Sequence, residues 1–513
     1  MESFIQRHRG DVIGVLGGFD RVLFRGTLRS ISYGEGLDRF LGAMGVRYKQ
    51  FGAFAERLSE RLKSHAEATA RSAGRPFLYV SNPGRSKEAI AETIARREGV
   101  REGLVCVLRC VEPCRSFAIR RDEQGQFHFL AQERKCLHLY FYYLDREFGL
   151  MHVRLATWLP FGIQVCLNGR EYLARRMERA GIGFEQRDNC FVRIDDLARA
   201  QRMMAELERR KWDRVLNAWA RRINPLLVRS SGVNLYGYYW SVRESEYATD
   251  VMFEDAAALQ RVYPALLDHA IKRFDSKNVL RFLGRRTTAR RFQGEAASSL
   301  LERAEGVRVK HWVEENSIKM YDKQGSVLRI ETTINNVRRF RVRRMTEWKG
   351  VRRMRWIPMR FGLADLDRRV QISRAANGRY LEALAVVDVP SPAREFLDEV
   401  GRRVVKQGRP YRALRPVSRE DAQVFAAALK GAFLLKGFTN RDLREALGWP
   451  RPHGPDEWRR QSGQATRLLR LLRAHGLIRK VSGTRYYRVT PHGQQVMTAA
   501  LKIRDANITG LAA

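Results

Sequence analysis

The amino-acid sequence predicts an α+β protein: a mostly antiparallel sheet body with helical insertions, followed by a separate C-terminal module. Three observations lead there. From Leu104 the chain passes through successive segments of alternating polarity bounded by turn residues, the period of half-buried strands. Segments of helical period stand before and after them, and no internal repeat organises the pattern. Finally, "VDVPSPAREF" and "KQGRPYRALRPVSRED" concentrate Pro, Gly and charge as linkers do, which sets the last hundred residues apart.

The elements follow in order. "DVIGVLGGFDRVLFRGTL" reads as a hairpin or a bent strand opened by Gly17 and Gly18. "GEGLDRFLGAMG" and "FAERLSERLKSHAEATARSAG" have helical periods, "PFLYV" is a short strand, and "SKEAIAETIARREG" is a helix with a Ser cap. "LVCVLRCV", "SFAIRRDEQGQFHFLA" around a Gln-Gly turn, "CLHLYFYYL", "MHVRLATW" and "GIQVCLNG" read as strands. "REYLARRMERAG" and "LARAQRMMAELERRKWDRVLNAWARRI" return to helix, and a helical middle third is expected from "FEDAAALQRVYPALLDHAIKRF" to "SSLLERAEG". The expected divisions are an N-terminal α/β segment (1–100), a basic α+β body (101–388), a linker (389–418) and a C-terminal module (419–505).

The 513 residues are 44% hydrophobic and carry a formal net charge of +39, too long for one core and strongly self-repelling. A polyanion partner offsets such an excess, and the dominance of arginine favours DNA or structured RNA, because its planar fork matches phosphate and guanine edges. "MESFIQRHRG" lacks the apolar core of an export signal, and "FGLMHVRLATWLPFGIQVCL" is interrupted by His152, Arg154 and Pro160. A cytoplasmic protein with no membrane partner is therefore expected. Cys106, Cys110 and Cys114, with Cys136 as a fourth ligand, invite a metal site. Their spacing fits no common zinc motif, and free thiols on a strand are the simpler expectation.

The stretch "VRRFRVRRMTEWKGVRRMRW" sets Arg338, Arg339, Arg341, Arg343, Arg344, Arg352, Arg353 and Arg355 among Phe340, Trp348 and Trp356. A bare charge run is a solvated face. Interleaved aromatics add stacking partners for bases and rigid neighbours for the arginines, so a phosphate-tracking surface is expected.

In the last division, "DAQVFAAALKGAF", "TNRDLREALG" and "DEWRRQSGQATRLLRLLRAHG" form three helices, with Gly476 ending the third. "LIRKVSGTRYYRVT" makes two strands around Ser482-Gly483, and "PHGQQVMTAALKIR" opens a last helix with Pro491. This order resembles the winged-helix family of DNA-binding domains, most closely in "LLRAHGLIRKVSGTRYYRVTPHGQQVM". The resemblance implies that Leu468, Leu472 and Leu477 are core. It also implies that Arg459, Arg460, Gln464, Arg467 and Arg470 line the groove-reading helix, and that Arg479, Lys480, Arg485 and Arg488 meet phosphates from the wing. Winged helices also serve as protein-docking modules.

"NSIKMYDKQGSVLRIETTIN" is a predicted hairpin. A three-residue loop of Lys323, Gln324 and Gly325 gives one apolar face of Ile318, Met320, Leu328, Ile330 and Ile334. The other face presents Ser317, Lys319, Tyr321, Arg329, Glu331 and Thr333. A Tyr321 phenolate flanked by Lys319 and Arg329 has the chemistry to attack a phosphodiester, and Glu331 to help hold a divalent ion, Mg²⁺ or Mn²⁺. "KMYDK" before "LRIE" resembles a strand pair in replication initiator proteins of rolling-circle plasmids and filamentous phages. That implies a mobile-element or replication-initiator protein that nicks or joins DNA. The paired histidines common in that class are absent, since His128 and His138 stand apart. The alternative for this face is a surface ladder of ion pairs.

Smaller candidates remain. Asp20, Asp250, Glu254 and Asp255 offer carboxylates for a nuclease, although Asp255 also suits a helix cap. Asn168, Gly169 and Arg170 stand at a strand-to-helix turn that either binds phosphate or is a plain turn. Three functions therefore stay open: a nicking enzyme, a non-catalytic binder of DNA or structured RNA, and a transcriptional regulator.

Overall fold

The computed structural model describes residues 1–233, 235–284, 296–303, 306–348, 350–387, 393–431, 433 and 437–506. The protein is α+β with mostly antiparallel strand pairing. It divides into two compact units. One comprises Met1–Gly14, Val251–Ile330 and Ala375–Ala513; the other comprises Val15–Asp250 and Glu331–Arg374.

The chain begins with α1 (Glu2–Arg7), β1 (Val12–Thr27), α2 (Gly34–Ala43), α3 (Phe51–Ser72), β2 (Phe77–Tyr79) and α4 (Lys87–Arg97). β1 is one continuous strand. Its Gly18 serves close packing, since a Cβ there would stand 2.1 Å from Met204 Cε. The Ser86 hydroxyl caps α4, accepting from the Ala89 N–H at 3.2 Å. β3 (Gly103–Arg121) and β4 (Phe127–Asp145) form one long hairpin, paired from Gly103↔Leu144 to Arg121↔Phe127, with Gly125 at φ +78° in its turn. Then come β5 (Gly149–Ala156), β6 (Ile163–Asn168), α5 (Gly169–Arg179), β7 (Phe184–Gln186), β8 (Phe191–Ile194), α6 (Leu197–Glu208), α7 (Trp212–Ile223) and β9 (Tyr239–Phe253).

The next stretch holds α8 (Ala256–Arg273), α9 (Ser276–Phe282), β10 (Ala296–Arg303), β11 (Gly306–Val313), β12 (Asn316–Lys323), β13 (Val327–Ile334), β14 (Arg341–Trp348) and β15 (Val351–Pro358). The helical expectation for "SSLLERAEG" fails. Ala296–Arg303 pairs along its length with β11, from Ala296↔Val313 to Arg303↔Gly306. Leu300 and Leu301 are both exposed, so no helical apolar stripe is buried there, and the strand partner satisfies the backbone instead. The remaining elements are α10 (Leu366–Leu384), α11 (Ala393–Val400), β16 (Val404–Lys406), β17 (Arg409–Tyr411), α12 (Arg419–Ala428), α13 (Asn440–Ala446), α14 (Pro455–Ala474), β18 (Ile478–Lys480), β19 (Tyr487–Val489) and α15 (Pro491–Asp505). In the expected linker, 389–392 lie outside the described residues, while α11 and the β16–β17 hairpin are regular structure.

In the Val15–Asp250 and Glu331–Arg374 unit the strand order is β9-β1-β6-β5-β4-β3-β2, with β2 parallel to β3. The two faces differ. Met151, Val153, Leu155, Ile163, Val165 and Leu167 are buried, whereas His152, Arg154, Gln164 and Cys166 between them are half-buried. α5 and α7 pack on the buried side of β5. On the other side α4 packs over the β3–β4 end, where Ala91 and Ile94 meet Cys106, Leu108, Cys110, Tyr140 and Tyr142, and its Glu88 reaches Arg21 of β1 at 3.2 Å.

In the other unit the order β10-β11-β12-β13 places Val309, His311, Val313, Ile318 and Met320 in the core. Its C-terminal part has its own core, built from Val424, Phe425, Phe438, Leu443, Leu469, Leu472, Leu477, Ile478, Val496 and Met497.

Candidate nucleic-acid interface

The C-terminal segment follows the order α12, an isolated bridge at Phe438, α13, α14, β18, β19 and α15. Phe438 pairs antiparallel with Tyr487, adding a third chain segment to the β18–β19 pair. Thr439 starts α13 through a capping box with Asp442. Asn440 locks α13 to α14, its Nδ2 donating to Ser462 O at 2.9 Å and to Thr466 Oγ1 at 3.0 Å.

α14 is two-sided. Gln461, Ala465, Leu469 and Leu472 are buried at helical spacing, and Leu468 packs partly buried against the same core. Arg459, Arg460, Gln464, Arg467 and Arg470 all lie on the exposed side, joined by Arg473. Arg459 and Arg460 have acidic neighbours one turn back, Asp456 at 3.3 Å and Glu457 at 3.6 Å. Arg467 and Arg470 have no carboxylate within ion-pair distance among the described residues. Arg479, Lys480, Arg485 and Arg488 are exposed on and around the two strands. Arg479 is paired in register with Arg488, which sets two like charges face to face.

The arginine-rich stretch is a two-stranded ribbon. β14 and β15 pair from Arg341↔Pro358 to Trp348↔Val351, turning at Gly350 (φ +74°). Each strand has eight residues, which gives a length of about 26 Å. Alternation puts Arg341, Arg343, Met345, Arg352, Met354 and Trp356 on one face, with Met345 at 55%, Met354 at 46% and Trp356 at 53% exposure. Arg353 is exposed on the other face, while Arg344 and Arg355 oppose each other half-buried, Arg344 being ion-paired with Asp365. Arg338 and Arg339 are exposed just ahead of the ribbon, where Phe340 anchors its base with Ile334, Val337, Met359 and Ile372. The Trp348 side chain lies outside the described residues.

The Tyr321 hairpin turns one residue later than the sequence suggests. β12 ends at Lys323 and β13 begins at Val327, and the turn residues Gln324 and Gly325 have φ of +58° and +81°, both left-handed. Ile318, Met320, Leu328, Ile330 and Ile334 are fully buried, as expected. Lys319 and Tyr321 are half-buried, opposite Lys310 and Arg308 of β11. Lys310 Nζ in turn stands 5.7 Å from the centre of the Trp312 ring. Arg329 and Glu331, by contrast, are 1% and 2% exposed, and the two compact units divide between Ile330 and Glu331. The expected open polar face therefore exists at Lys319 and Tyr321 but not at Arg329 and Glu331.

The smaller candidates take structural positions. Asn168 Oδ1 accepts from the Arg170 and Glu171 N–H groups at 2.8 and 3.1 Å, closing the α5 N-terminus as a plain capped turn. Gly169 admits no side chain, since a Cβ would stand 1.9 Å from Phe19 O. Arg170 is fully buried, with Nη2 2.8 Å from Asp250 Oδ2 and Nε 4.0 Å from Asp20 Oδ1. Asn189 donates to the same Asp20 oxygen at 2.7 Å. Asp20 and Asp250 thus meet around a guanidinium. Asp255 caps α8 through the Ala258 N–H at 2.7 Å, and Glu254 is exposed.

All six cysteines are free thiols. Burial pushes Cys106 up to about 12, away from ligand chemistry. Among the described residues no group of three or more His, Cys, Asp and Glu is placed to hold a metal, and no helix is long and apolar enough to cross a membrane.

Sequence reasoning missed two features built from distant segments. One is a cleft of about 710 Å³ lined by Lys277, Arg281, Arg441, Arg444, Trp449 and Trp458, among others. The other is the half-open sheet face over β1, β5, β6 and β9. Their residues come from separate stretches, so no local motif announces them.

No family model matches the chain, and no curated protein and no solved structure matches it either.

Proposed function

We propose that the protein binds duplex DNA through its C-terminal segment, used as a winged helix. α14 enters the major groove with Gln464, Arg467 and Arg470, and Arg479, Lys480, Arg485 and Arg488 track the phosphates beside it. The observation that carries this is the Arg479–Arg488 pair, two exposed guanidiniums in register with no carboxylate within ion-pair distance among the described residues. Such a pairing is unfavourable in water and favourable against a polyanion. The arginine ribbon is a second binding element. Two-stranded ribbons fit the major groove, about 12 Å wide, and its exposed Trp356 and methionines suit base edges and sugars.

Fluorescence anisotropy of the full chain against labelled duplex DNA over a salt series tests the proposal. Arg467→Ala with Arg470→Ala should lower affinity at least tenfold and reduce the salt slope by about 0.9 for each phosphate left without its arginine. Unchanged affinity, or binding without salt dependence, would sink it. Structured RNA that binds more tightly than duplex DNA would transfer the same surface to RNA.

Strand nicking, of the kind that replication initiators of mobile elements perform, is the second reading. What favours it is the rung that faces Tyr321 with Arg308, next to the Lys319–Lys310 rung, so that cations flank the phenol. A covalent protein–DNA adduct with Mg²⁺ or Mn²⁺, abolished by Tyr321→Phe, is the expected product. Binding with no adduct leaves the non-catalytic function alone.

A further inference from the structure

One row of cross-strand partners runs over the half-open sheet face: Tyr140↔Arg154, Arg154↔Gln164 and Gln164↔Arg25, on β4, β5, β6 and β1. With adjacent strands about 4.8 Å apart, Arg154 and Arg25 start about 10 Å from each other with Gln164 between them. On β9, Ser241 Oγ donates to Arg25 O at 3.2 Å, which brings Arg243, two residues further on, to the same place.

Arg154 is held in position. Its Nη2 lies 2.8 Å from Glu112 Oε2 and its Nη1 donates to Gln164 Oε1 at 3.0 Å. Glu112 also takes Lys87 Nζ at 2.9 Å and the Tyr140 hydroxyl at 2.6 Å. Burial alone would raise the Glu112 carboxyl, but Tyr140, Lys87 and Arg154 outweigh it and hold the group below the usual range. That charge is fully used. Arg154 Nε remains buried with no hydrogen-bond partner.

Arg25, Arg115 and Arg243 have no carboxylate within ion-pair distance among the described residues. Burial first, and then the guanidiniums of Arg243, Arg115 and Arg154, push Arg25 below its ordinary value. At the edge of this cluster the Arg29 guanidinium lies 3.5 Å from the centre of the partly exposed Tyr239 ring.

We infer that this face binds the phosphates of a single-stranded nucleic acid. Arg25, Arg115 and Arg243, none with a carboxylate within ion-pair distance among the described residues, repel one another, and a phosphate relieves the repulsion while accepting their forked donors. A broad sheet face enters no duplex groove, but it can lay out a strand whose bases stack on aromatic rings and guanidinium planes, as Tyr239 and Arg29 offer. The residues are all distinct from those of the duplex-binding segment, so the inference stands apart from the proposed function.

The test uses the full chain, a short labelled oligothymidine and a labelled duplex. Arg25→Gln with Arg243→Gln should lower oligothymidine affinity at least tenfold and cut its salt slope by about 1.4, two phosphates at 0.7 each. Duplex affinity should stay within twofold, and Arg467→Ala with Arg470→Ala should show the opposite pattern. Arg25→Lys with Arg243→Lys keeps the charge and should retain most of the affinity, which separates weakened phosphate binding from impaired folding. Unchanged oligothymidine affinity and slope in the glutamine variant overturns the inference. So does a result in which inorganic pyrophosphate raises the melting temperature of the wild type and not of the variant while oligothymidine does neither, because the site then serves a small phosphate.

Discussion

Arg479 on β18 stands directly opposite Arg488 on β19, and both are exposed. Cross-strand pairs are worth about 0.2–1 kcal/mol, and like charges take the unfavourable sign. Arg479→Glu should therefore stabilise the isolated fold by a few tenths to about 1 kcal/mol, read as a rise in melting temperature at low salt. The same substitution should weaken duplex binding at least tenfold. A variant both more stable and equally tight would show that the pair does not serve a polyanion.

The ribbon offers a different signature. Arg343 is paired in register with Trp356, on the face that also exposes Met345 and Met354. Replacing both Arg343 and Trp356 by Ala should leave the melting temperature nearly unchanged, because neither side chain is buried. Duplex affinity should fall by about 1–3 kcal/mol, the worth of one arginine contact to a base edge, and a footprint should lose the protection that belongs to the ribbon alone.

Arg170 carries the opposite balance of stability and function. It is fully buried against Asp250 and close to Asp20, so Arg170→Met leaves those carboxylates short of a cation in a dry site. A loss of about 3–5 kcal/mol is expected in urea unfolding. Asp250→Asn in the same chain should recover part of it, since the stranded charge is then gone.

His311 makes stability depend on pH. Its Nδ1 and Nε2 lie 2.7 Å from Ser298 Oγ and 3.0 Å from Tyr380 Oη, and burial pushes its pKa down to about 4. Below pH 6.5 the unfolded chain takes up a proton that the folded chain refuses until about pH 4. Stability is complete above pH 6.5 and falls as the pH drops, by about 3 kcal/mol over that window. Burial likewise lowers His138 and His269, each to about 4, so they act in the same direction. His311→Gln should reduce the slope of unfolding free energy between pH 4 and 6.5 by about 1.4 kcal/mol per pH unit; an unchanged slope would place the acid sensitivity elsewhere.

Much of the fold was legible locally. The caps at Ser86, Thr439 and Asp255, the left-handed glycines at Gly125, Gly476 and Gly483, and the buried stripe of α14 all follow from neighbours a few residues apart. The exposed arginines of α14 and the β18–β19 region were legible for the same reason. The ribbon was only half legible. Its arginines and aromatics were plain, but alternating Arg, Val and Met suits a solvated face as well as a strand until a partner strand is found.

By itself, then, the sequence determined the α+β class, the helices of the C-terminal segment, the buried apolar positions of β12 and β13, and a net charge of +39. Those follow from periodicity and composition, which act within a few turns or rungs. The tertiary structure alone decided that Ala296–Arg303 is a strand, that Arg170, Arg329 and Glu331 are buried, and that Arg25, Gln164 and Arg154 form one row. The reason is physical. A strand's partner, and whatever covers its second face, come from remote parts of the chain, so burial and cross-strand charge are settled only when those parts meet.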